Sequence, residues 1–100
     1  GVPKIKPAAV ISSSRRAGSV TSMDVLNKHL SISEMPIVTS NYWNEVHGHT
    51  PSDVEQDREG LDTMYALGKN MAWMLKCLEA GKKAGIEVPQ NKKRTTNFIR

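Results

Sequence analysis

The chain has 100 residues, of which 38% are hydrophobic and only 5% aromatic, and its formal net charge is +4. A chain of this length forms one small domain or part of a larger one. None of its apolar runs approaches the roughly 20 residues that a membrane-spanning helix needs, so no membrane association is expected. The single cysteine, Cys77, excludes an intramolecular disulfide and favours a reducing, cytoplasmic compartment.

Much of the positive charge lies toward the C-terminus, on Lys82, Lys83, Lys92, Lys93, Arg94 and Arg100. A basic tail can bind nucleic acid through phosphate contacts. The aromatic residues are not interleaved with these cations, as a stacking platform for bases requires. We therefore interpret the tail as a solvated end, and nucleic-acid binding is the weaker alternative.

Two segments have the composition of a strand followed by a functional loop. Residues 7–13 are a short apolar run, typical of a parallel strand covered on both faces, and a loop follows over residues 14–19. Residues 35–40 form a second such run. The irregular segment 41–50 after it carries two of the five aromatic residues and two of the three histidines. Polar and aromatic loops of this kind often carry function.

A helix is predicted after each strand. Thr21 or Ser22 is the expected N-cap of the first helix, which ends near Ser31. Its apolar face is formed by Met23, Leu26 and Leu30. Thr50 is the expected N-cap of the second helix, with Pro51 at the first position and Asp53 at the third.

The second helix is predicted to run unbroken to about Ala84, with Gly85 as its left-handed C-cap residue. Its buried face is predicted to comprise Leu61, Met64, Gly68, Met71, Leu75 and Leu78, widened by Tyr65, Ala72 and Trp73. Gly68 is expected to allow the helix close to a sheet. Residues 86–100 read as an extended tail.

The order strand, helix, strand, helix predicts an α/β fold with a parallel sheet. Two strands do not make a doubly wound sheet, so the sequence predicts part of one. In such sheets, ligands bind beyond the carboxyl ends of the strands. Both loops are therefore expected to lie along one rim of the sheet.

The loop after the first strand contains Arg15, Arg16 and a glycine. Backbone amides and guanidinium groups in such a turn could hold an anion or a flavin edge, although an ordinary solvated turn explains them equally well. In the second loop, Tyr42 or Trp43 could pack on a planar cofactor or on a neighbouring subunit. Shielding of the edge of the core is the simpler alternative.

Other reactive side chains are expected to have ordinary roles. His47 and His49 are not accompanied by further ligands in a recognisable pattern, so no metal site is predicted. Cys77 is expected to be a buried, inert thiol, and His29 a surface residue. A solvated acidic face, rather than catalytic carboxylates, is predicted for Glu55, Asp57, Glu59 and Asp62.

Four stretches carry a resemblance to a known family: residues 7–18, 35–48, 57–61 and 67–73. Together they resemble the NADPH-dependent FMN reductase family, and in particular its flavodoxin-like oxidoreductases. The resemblance extends over nearly all of the chain, through residues 95–100. The order in which the four stretches follow one another is more specific for the family than any single stretch.

The resemblance implies a three-layer, flavodoxin-like fold with five parallel strands and helices on both faces. Residues 1–100 would supply its C-terminal half, which comprises strands four and five with their helices, and residues 86–100 would be an extended tail. The family's FMN phosphate-binding loop precedes these strands and is not in this sequence. The resemblance therefore implies an incomplete domain that is inactive alone.

The family binds FMN and passes electrons from NAD(P)H to a flavin, a quinone or a similar small-molecule acceptor. The loop that approaches the flavin ring is matched by Ser13, Ser14, Arg15, Arg16, Ala17 and Gly18. The loop that borders the flavin pocket or the subunit interface is matched by Tyr42, Trp43 and His47. The flavin supplies the redox chemistry, so the resemblance implies no catalytic side chain.

The implied partners are further copies of the chain in a homo-oligomer, or the missing N-terminal half. A non-enzymatic interaction module is the alternative reading. Such a module would associate through exposed sheet edges, because an unpaired strand edge is a template for another strand.

Overall fold

The computed structural model describes residues 5–98. Its elements in chain order are β1 (Ser12–Ser14), α1 (Ser19–Ile32), β2 (Glu45–His47), α2 (Pro51–Gln56) and α3 (Arg58–Lys83). No regular structure follows α3 up to residue 98. None of the helices within residues 5–98 is both long and apolar enough to cross a membrane.

The two strands form a parallel sheet, which confirms the predicted mixed α/β arrangement. Ser12 pairs with Glu45, and Ser14 pairs with His47 at the other end of the ladder. A separate parallel bridge joins Ala8 to Ile37, closer to the amino ends of the same two chain segments. The helix α1 connects the two strands, as alternating strands and helices require.

The second strand lies later in the chain than predicted. Residues 35–40 contribute only the bridge at Ile37, and β2 lies within the segment that was expected to be irregular. Asn44 explains the shift, because its backbone oxygen accepts from the Ser12 N–H at 3.0 Å. Its side-chain amide also donates to the Val10 oxygen at 3.2 Å. The chain thus rejoins the sheet at Asn44 after an excursion over residues 39–43.

The helix α1 begins earlier than the expected caps Thr21 and Ser22, both of which lie inside it. Gly18 is the N-cap residue, with a positive φ of 99° that a residue with a side chain rarely adopts. The turn at Gly18 lets the Ser19 hydroxyl donate to Ser14 Oγ at 2.7 Å. This hydrogen bond joins the start of α1 to the end of β1.

The predicted signals at both ends of the last helical region are confirmed. Thr50 and Asp53 form a capping box, with the Asp53 N–H donating to the Thr50 hydroxyl oxygen and the Thr50 N–H donating to the Asp53 carboxylate. At the other end, Gly85 has a φ of 88°. The Ile86 N–H then donates back to the Gly81 oxygen at 2.9 Å, which closes the C-terminal turn.

The region is nevertheless two helices, because the chain breaks at Asp57. Asp57 leaves the helical conformation, with φ −80° and ψ 78°. Its carboxylate accepts from the Gly60 N–H at 2.9 Å and from the His47 N–H at 2.7 Å. Asp57 is therefore the N-cap of α3 and also its link to β2, which corrects its assignment to a solvated acidic face.

These two hydrogen bonds also act on the acidity of Asp57. The N–H of Gly60, and then that of His47, stabilise the charged carboxylate and hold the pKa of Asp57 below its ordinary value. Gly60 lies so close to β2 that an added Cβ would be 2.9 Å from Val46 Cγ1. The first turn of α3 therefore packs tightly on β2.

The helix α3 then runs back along the chain segment that contains β2. Gly60 is next to Val46, and ten residues later the Asn70 side-chain amide donates to the Thr39 oxygen at 2.7 Å. The buried apolar residues of the described range are Met23, Val38 and Leu67. They lie on α1, on the segment before β2 and on α3, so the core is small and central.

Much of the predicted buried face of α3 is uncovered. Leu75 and Leu78 are 49% and 45% exposed, and a Cβ added at Gly68 would meet no atom within 4 Å. Cys77 is exposed as well, so its predicted burial is wrong. At 1.5 Å per residue α3 is about 39 Å long, whereas three residues of β2 span about 10 Å. The sheet is therefore too short to cover the helix.

The dimensions of the molecule agree with this incomplete cover. The radius of gyration is 17.3 Å. A compact domain of this length has a radius of gyration of about 13 Å. The chain is therefore more open than a self-contained domain of its size.

We predict that Asp57→Ala lowers the free energy of unfolding by about 1–2 kcal/mol, because it removes an N-cap and leaves the His47 N–H without its acceptor. Urea denaturation measures the loss. Asp62→Ala, which removes an exposed carboxylate from the same helix, is the matched control and should have little effect. Equal effects of the two substitutions would contradict the bridging role of Asp57.

The lowered pKa of Asp57 also predicts a pH dependence. The unfolded chain binds the proton more readily than the folded chain, so Asp57 stabilises the fold above its ordinary pKa. This stabilisation is lost as the pH falls through the lowered pKa of the folded state. Urea midpoints measured from neutral pH downward should fall less steeply in Asp57→Asn than in the parent chain. Parallel curves would show that Asp57 does not contribute.

Candidate functional site

A groove of about 450 Å³ lies between α1 and residues 37–44. Successive turns of α1 contribute Val20, Met23, Asp24 and Asn27 to one wall. The opposite wall is the excursion that precedes β2. Met23 is buried and anchors this side of α1, so the groove has a fixed wall.

Two aromatic side chains of the excursion line the groove and remain open to solvent. Tyr42 is 55% and Trp43 57% exposed, and their ring centroids are 6.1 Å apart with the planes tilted by 38°. The Ser40 hydroxyl accepts from the Tyr42 N–H and donates to Asn44 Oδ1 at 2.6 Å, which fixes the turn that carries the rings. Exposed aromatic rings on a fixed turn provide an apolar surface for a planar ligand.

Asn27 supplies the one buried side-chain polar atom without a hydrogen-bond partner among the described residues. Its Oδ1 is buried and accepts no hydrogen bond. A buried acceptor in this state destabilises the fold by about 1–3 kcal/mol, and native proteins contain few of them. Asn27 is also one of the residues that line the groove with Tyr42 and Trp43.

The structure divides the site residues that the sequence predicts into two groups. Arg15, Arg16, Ala17 and Gly18 form an exposed turn beyond the end of the ladder at which Ser14 pairs with His47. Tyr42 and Trp43 precede the opposite end, at which Ser12 pairs with Glu45. The predicted shared rim thus holds His47 and the arginine turn but not the aromatic pair, because β2 starts after Trp43 rather than before it.

The serines of the first loop belong partly to the sheet itself. Ser13 and Ser14 are residues of β1, and the Ser14 hydroxyl is used by Ser19. Ser13 is exposed. The exposed donors at this rim are therefore those of Ser13, Arg15 and Arg16.

His47 lies at the rim beside Asp57, and its Nδ1 is 3.9 Å from Asp57 Oδ2. His49 is exposed, and its N–H donates to Asp53 Oδ2 at 3.1 Å. Within residues 5–98, no three His, Cys, Asp or Glu side chains are grouped so that they could hold a metal ion. The part played by His47 in the structure is the hydrogen bond from its N–H to Asp57.

Comparison with known proteins adds no relative. No family model matches the sequence, and no curated protein or solved structure matches it. The resemblance to FMN reductases therefore remains a hypothesis drawn from residue patterns, and the groove has to be interpreted from its own chemistry.

The wall that α1 contributes to the groove was not predicted from the sequence. One signal was available, because Asn27 lies between Met23 and Leu30 on the predicted apolar face of the helix. A side-chain amide that lies on the apolar face of a helix needs a hydrogen-bond partner when it is buried. The position of Asn27 on that face therefore marks it as a residue whose hydrogen bonds have to be accounted for. Val20 and Asp24 carry no comparable signal, since their place in the groove depends on where the excursion packs.

We predict that Asn27→Leu raises the free energy of unfolding by about 1 kcal/mol, because it removes a buried acceptor without a partner. Asn44→Leu is the matched comparison at the opposite wall. It should lower the free energy of unfolding by about 2 kcal/mol, because Asn44 uses both its amide donor and its oxygen. Urea denaturation of the two variants measures both changes. A loss at Asn27 as large as that at Asn44 would show that the Asn27 oxygen is satisfied.

Proposed function

We propose that this chain contributes the flavin-ring side of an FMN-dependent NAD(P)H oxidoreductase of the flavin or quinone reductase type. The groove between α1 and the Tyr42–Trp43 turn would hold the ring. The observation that carries the proposal is a groove with two exposed aromatic rings on one wall and, on the other, Asn27, whose buried Oδ1 has no partner. The fold in this proposal is flavodoxin-like, with β1 and β2 as its fourth and fifth strands.

The chemistry of the groove fits an isoalloxazine ring. This ring is flat, with one hydrocarbon end and a pyrimidine end that carries an N–H donor between two carbonyl groups. Asn27 Oδ1 would accept from the N–H, and Tyr42 and Trp43 would cover the apolar surface of the ring. Satisfying a buried acceptor gives specificity, because a ring without the donor would leave it unpaired.

The arginine turn would bind an anion separately from the ring, because it lies beyond the opposite end of the ladder from Tyr42 and Trp43. Arg15 and Arg16 are exposed beyond the carboxyl end of β1, where parallel sheets bind ligands. Guanidinium groups bind phosphate in a two-pronged geometry, so the phosphates of NAD(P)H suit them. Ser13, Ala17 and Gly18 would border this anion site, and His47 would lie beside it.

When bound, FMN would accept a hydride from NAD(P)H and pass the electrons to a small-molecule acceptor. The chain itself would orient the ring and exclude water from one of its faces. No side chain of the groove is required as an acid or a base. The resemblance assigns the phosphate-binding loop of the family to a segment outside this sequence, so the affinity of the groove would come from the ring.

A non-enzymatic interaction module is the second candidate function. Each strand of the two-stranded sheet has a ladder partner on one side only, which leaves one edge of each strand open. Ile11, directly before β1, is 60% exposed. Open edges beside exposed apolar residues favour pairing with another strand. This function predicts assembly that does not respond to flavin.

The flavin proposal is tested with riboflavin, which carries the ring without the phosphate, and with FMN. Flavin fluorescence should be quenched on binding, and Asn27→Leu or Trp43→Leu should raise the riboflavin Kd at least about tenfold, or 1.4 kcal/mol. Trp73→Leu removes an exposed tryptophan of α3 outside the groove and should have no effect.

An Arg15→Ala, Arg16→Ala double variant should weaken the binding of NADPH and leave the riboflavin Kd unchanged, because the turn would bind phosphate and lies beyond the opposite end of the ladder from Tyr42 and Trp43. The proposal fails if neither flavin binds at about 100 μM, a concentration that corresponds to a weak complex of about −5.5 kcal/mol. It fails equally if Trp73→Leu is as damaging as Trp43→Leu.

A further inference from the structure

One side of α3 carries aromatic and basic side chains in alternation. We call it the α3 outer face, and it consists of Tyr65, Lys69, Trp73, Lys76 and Lys83, all of which are exposed. At 3.6 residues per turn, these five side chains fall within a sector of about 80° around the helix. The helix creates this alternation, because residues three, four and seven positions apart lie on one side of it.

The outer face points away from the sheet. The buried residues of α3 are Gly60, Thr63 and Leu67. The centre of the outer face lies about 160° around the helix from them. Tyr65 and Trp73 are 72% and 65% exposed, although the apolar pattern predicted that they would widen the buried side. Two large aromatic rings are thus presented to solvent on the side of α3 that the fold does not cover.

The same part of α3 is positively charged. Residues 69–83 contain four lysines and one glutamate. The glutamate, Glu79, pairs with Lys83 at 3.3 Å. Lys69 and Lys76 lie within about 6 Å of Trp73 along the helix axis, at 1.5 Å per residue. Cations so close to an exposed ring suit an anionic ligand that also carries flat groups.

Single-stranded nucleic acid has both of these properties. Its phosphates bind lysine, and its unpaired bases stack on aromatic rings with little regard to sequence. From Tyr65 to Lys83 the outer face is about 27 Å long, which matches about eight nucleotides at 3.4 Å each. A depression of about 540 Å³ beside Tyr65 and Lys69 adds room for a base.

Other anionic partners fit this surface less well. A helix that lies on a membrane places its aromatic rings among its apolar residues, whereas Tyr65 and Trp73 lie among lysines. A nucleic-acid duplex offers phosphates but keeps its bases stacked on one another, so the two rings would have no partner. An acidic peptide would use the lysines and leave both rings exposed.

We propose that the α3 outer face binds single-stranded nucleic acid. Lys69 and Lys76 hold phosphates, and Tyr65 and Trp73 each stack on an unpaired base. Asp62 lies on the same side of the helix one turn before Tyr65, so the phosphate contacts begin at Lys69. The flavin groove is lined by α1 and residues 37–44, so this binding does not rest on the proposed function.

The phosphate contacts are tested by the fluorescence anisotropy of a labelled oligothymidine of about 12 nucleotides, titrated with the protein at several salt concentrations. Each phosphate contact contributes about 0.7 to the slope of log K against log salt, so a Lys69→Gln, Lys76→Gln double variant should lower this slope by about 1.4. Lys28→Gln removes an exposed lysine of α1 and should leave the slope unchanged.

The stacking contact is tested with Trp73→Leu, which should raise the oligothymidine Kd at least about fivefold. Trp43→Leu is the matched control, because Trp43 is 57% exposed but lies outside the outer face. The chain has two tryptophans, so Trp43→Leu retains only Trp73. Oligothymidine should quench the tryptophan fluorescence of Trp43→Leu and leave that of Trp73→Leu unchanged. Far-UV circular dichroism should show all variants folded, since the substituted side chains are exposed.

Three outcomes overturn the proposal. The first is no change in anisotropy with about 100 μM protein at low salt, whether or not vesicles of anionic lipid bind. The second is a Trp73→Leu variant that binds oligothymidine as the parent chain does, which would show attraction by charge alone. The third is a duplex of the same length that competes as well as the single strand. Riboflavin binding by Trp73→Leu should equal that of the parent chain, so the two proposals succeed or fail separately.

Discussion

The position of the longest helix depends on the carboxylate of Asp57. Asp57 accepts from the Gly60 N–H and from the His47 N–H, so it caps α3 and joins it to the end of β2. The break at Asp57 redirects the chain after α2 and lets α3 return along residues 39–47. The burial of Leu67 and the hydrogen bond from Asn70 to Thr39 follow from that direction. The carboxylate of this one residue thus determines that α3 packs beside β2.

The groove beside α1 likewise depends on one residue, Asn44. Asn44 returns the chain to β1 through Val10 and Ser12, and residues 39–43 are left as an excursion beside α1. That excursion carries the aromatic rings to the wall opposite Asn27. The oxygen of Asn27 is buried without a partner, which destabilises the fold. The residue that lowers the stability of the fold in this way is also one that lines the proposed ligand groove.

Local signals were predictable because the interacting groups are close in the chain. The capping box of Thr50 and Asp53 and the left-handed Gly85 involve residues within one helical turn, and the structure confirms both. Asp57 and Asn44 were not predictable in the same way. Their partners, His47 for one and Val10 for the other, lie far along the chain, so the break in the helix and the late start of β2 depend on tertiary contacts.

By itself, the sequence determined the alternation of strands and helices, the parallel pairing that this order favours, and the residues that share the apolar side of α3. The tertiary structure decided which of those residues are covered: Leu67 is buried, whereas Leu75 and Leu78 remain exposed. It also decided that Tyr42 and Trp43 lie beside α1 and away from Arg15 and Arg16. The physical reason is that periodicity fixes which side chains point the same way, but burial requires a second element long enough to cover them.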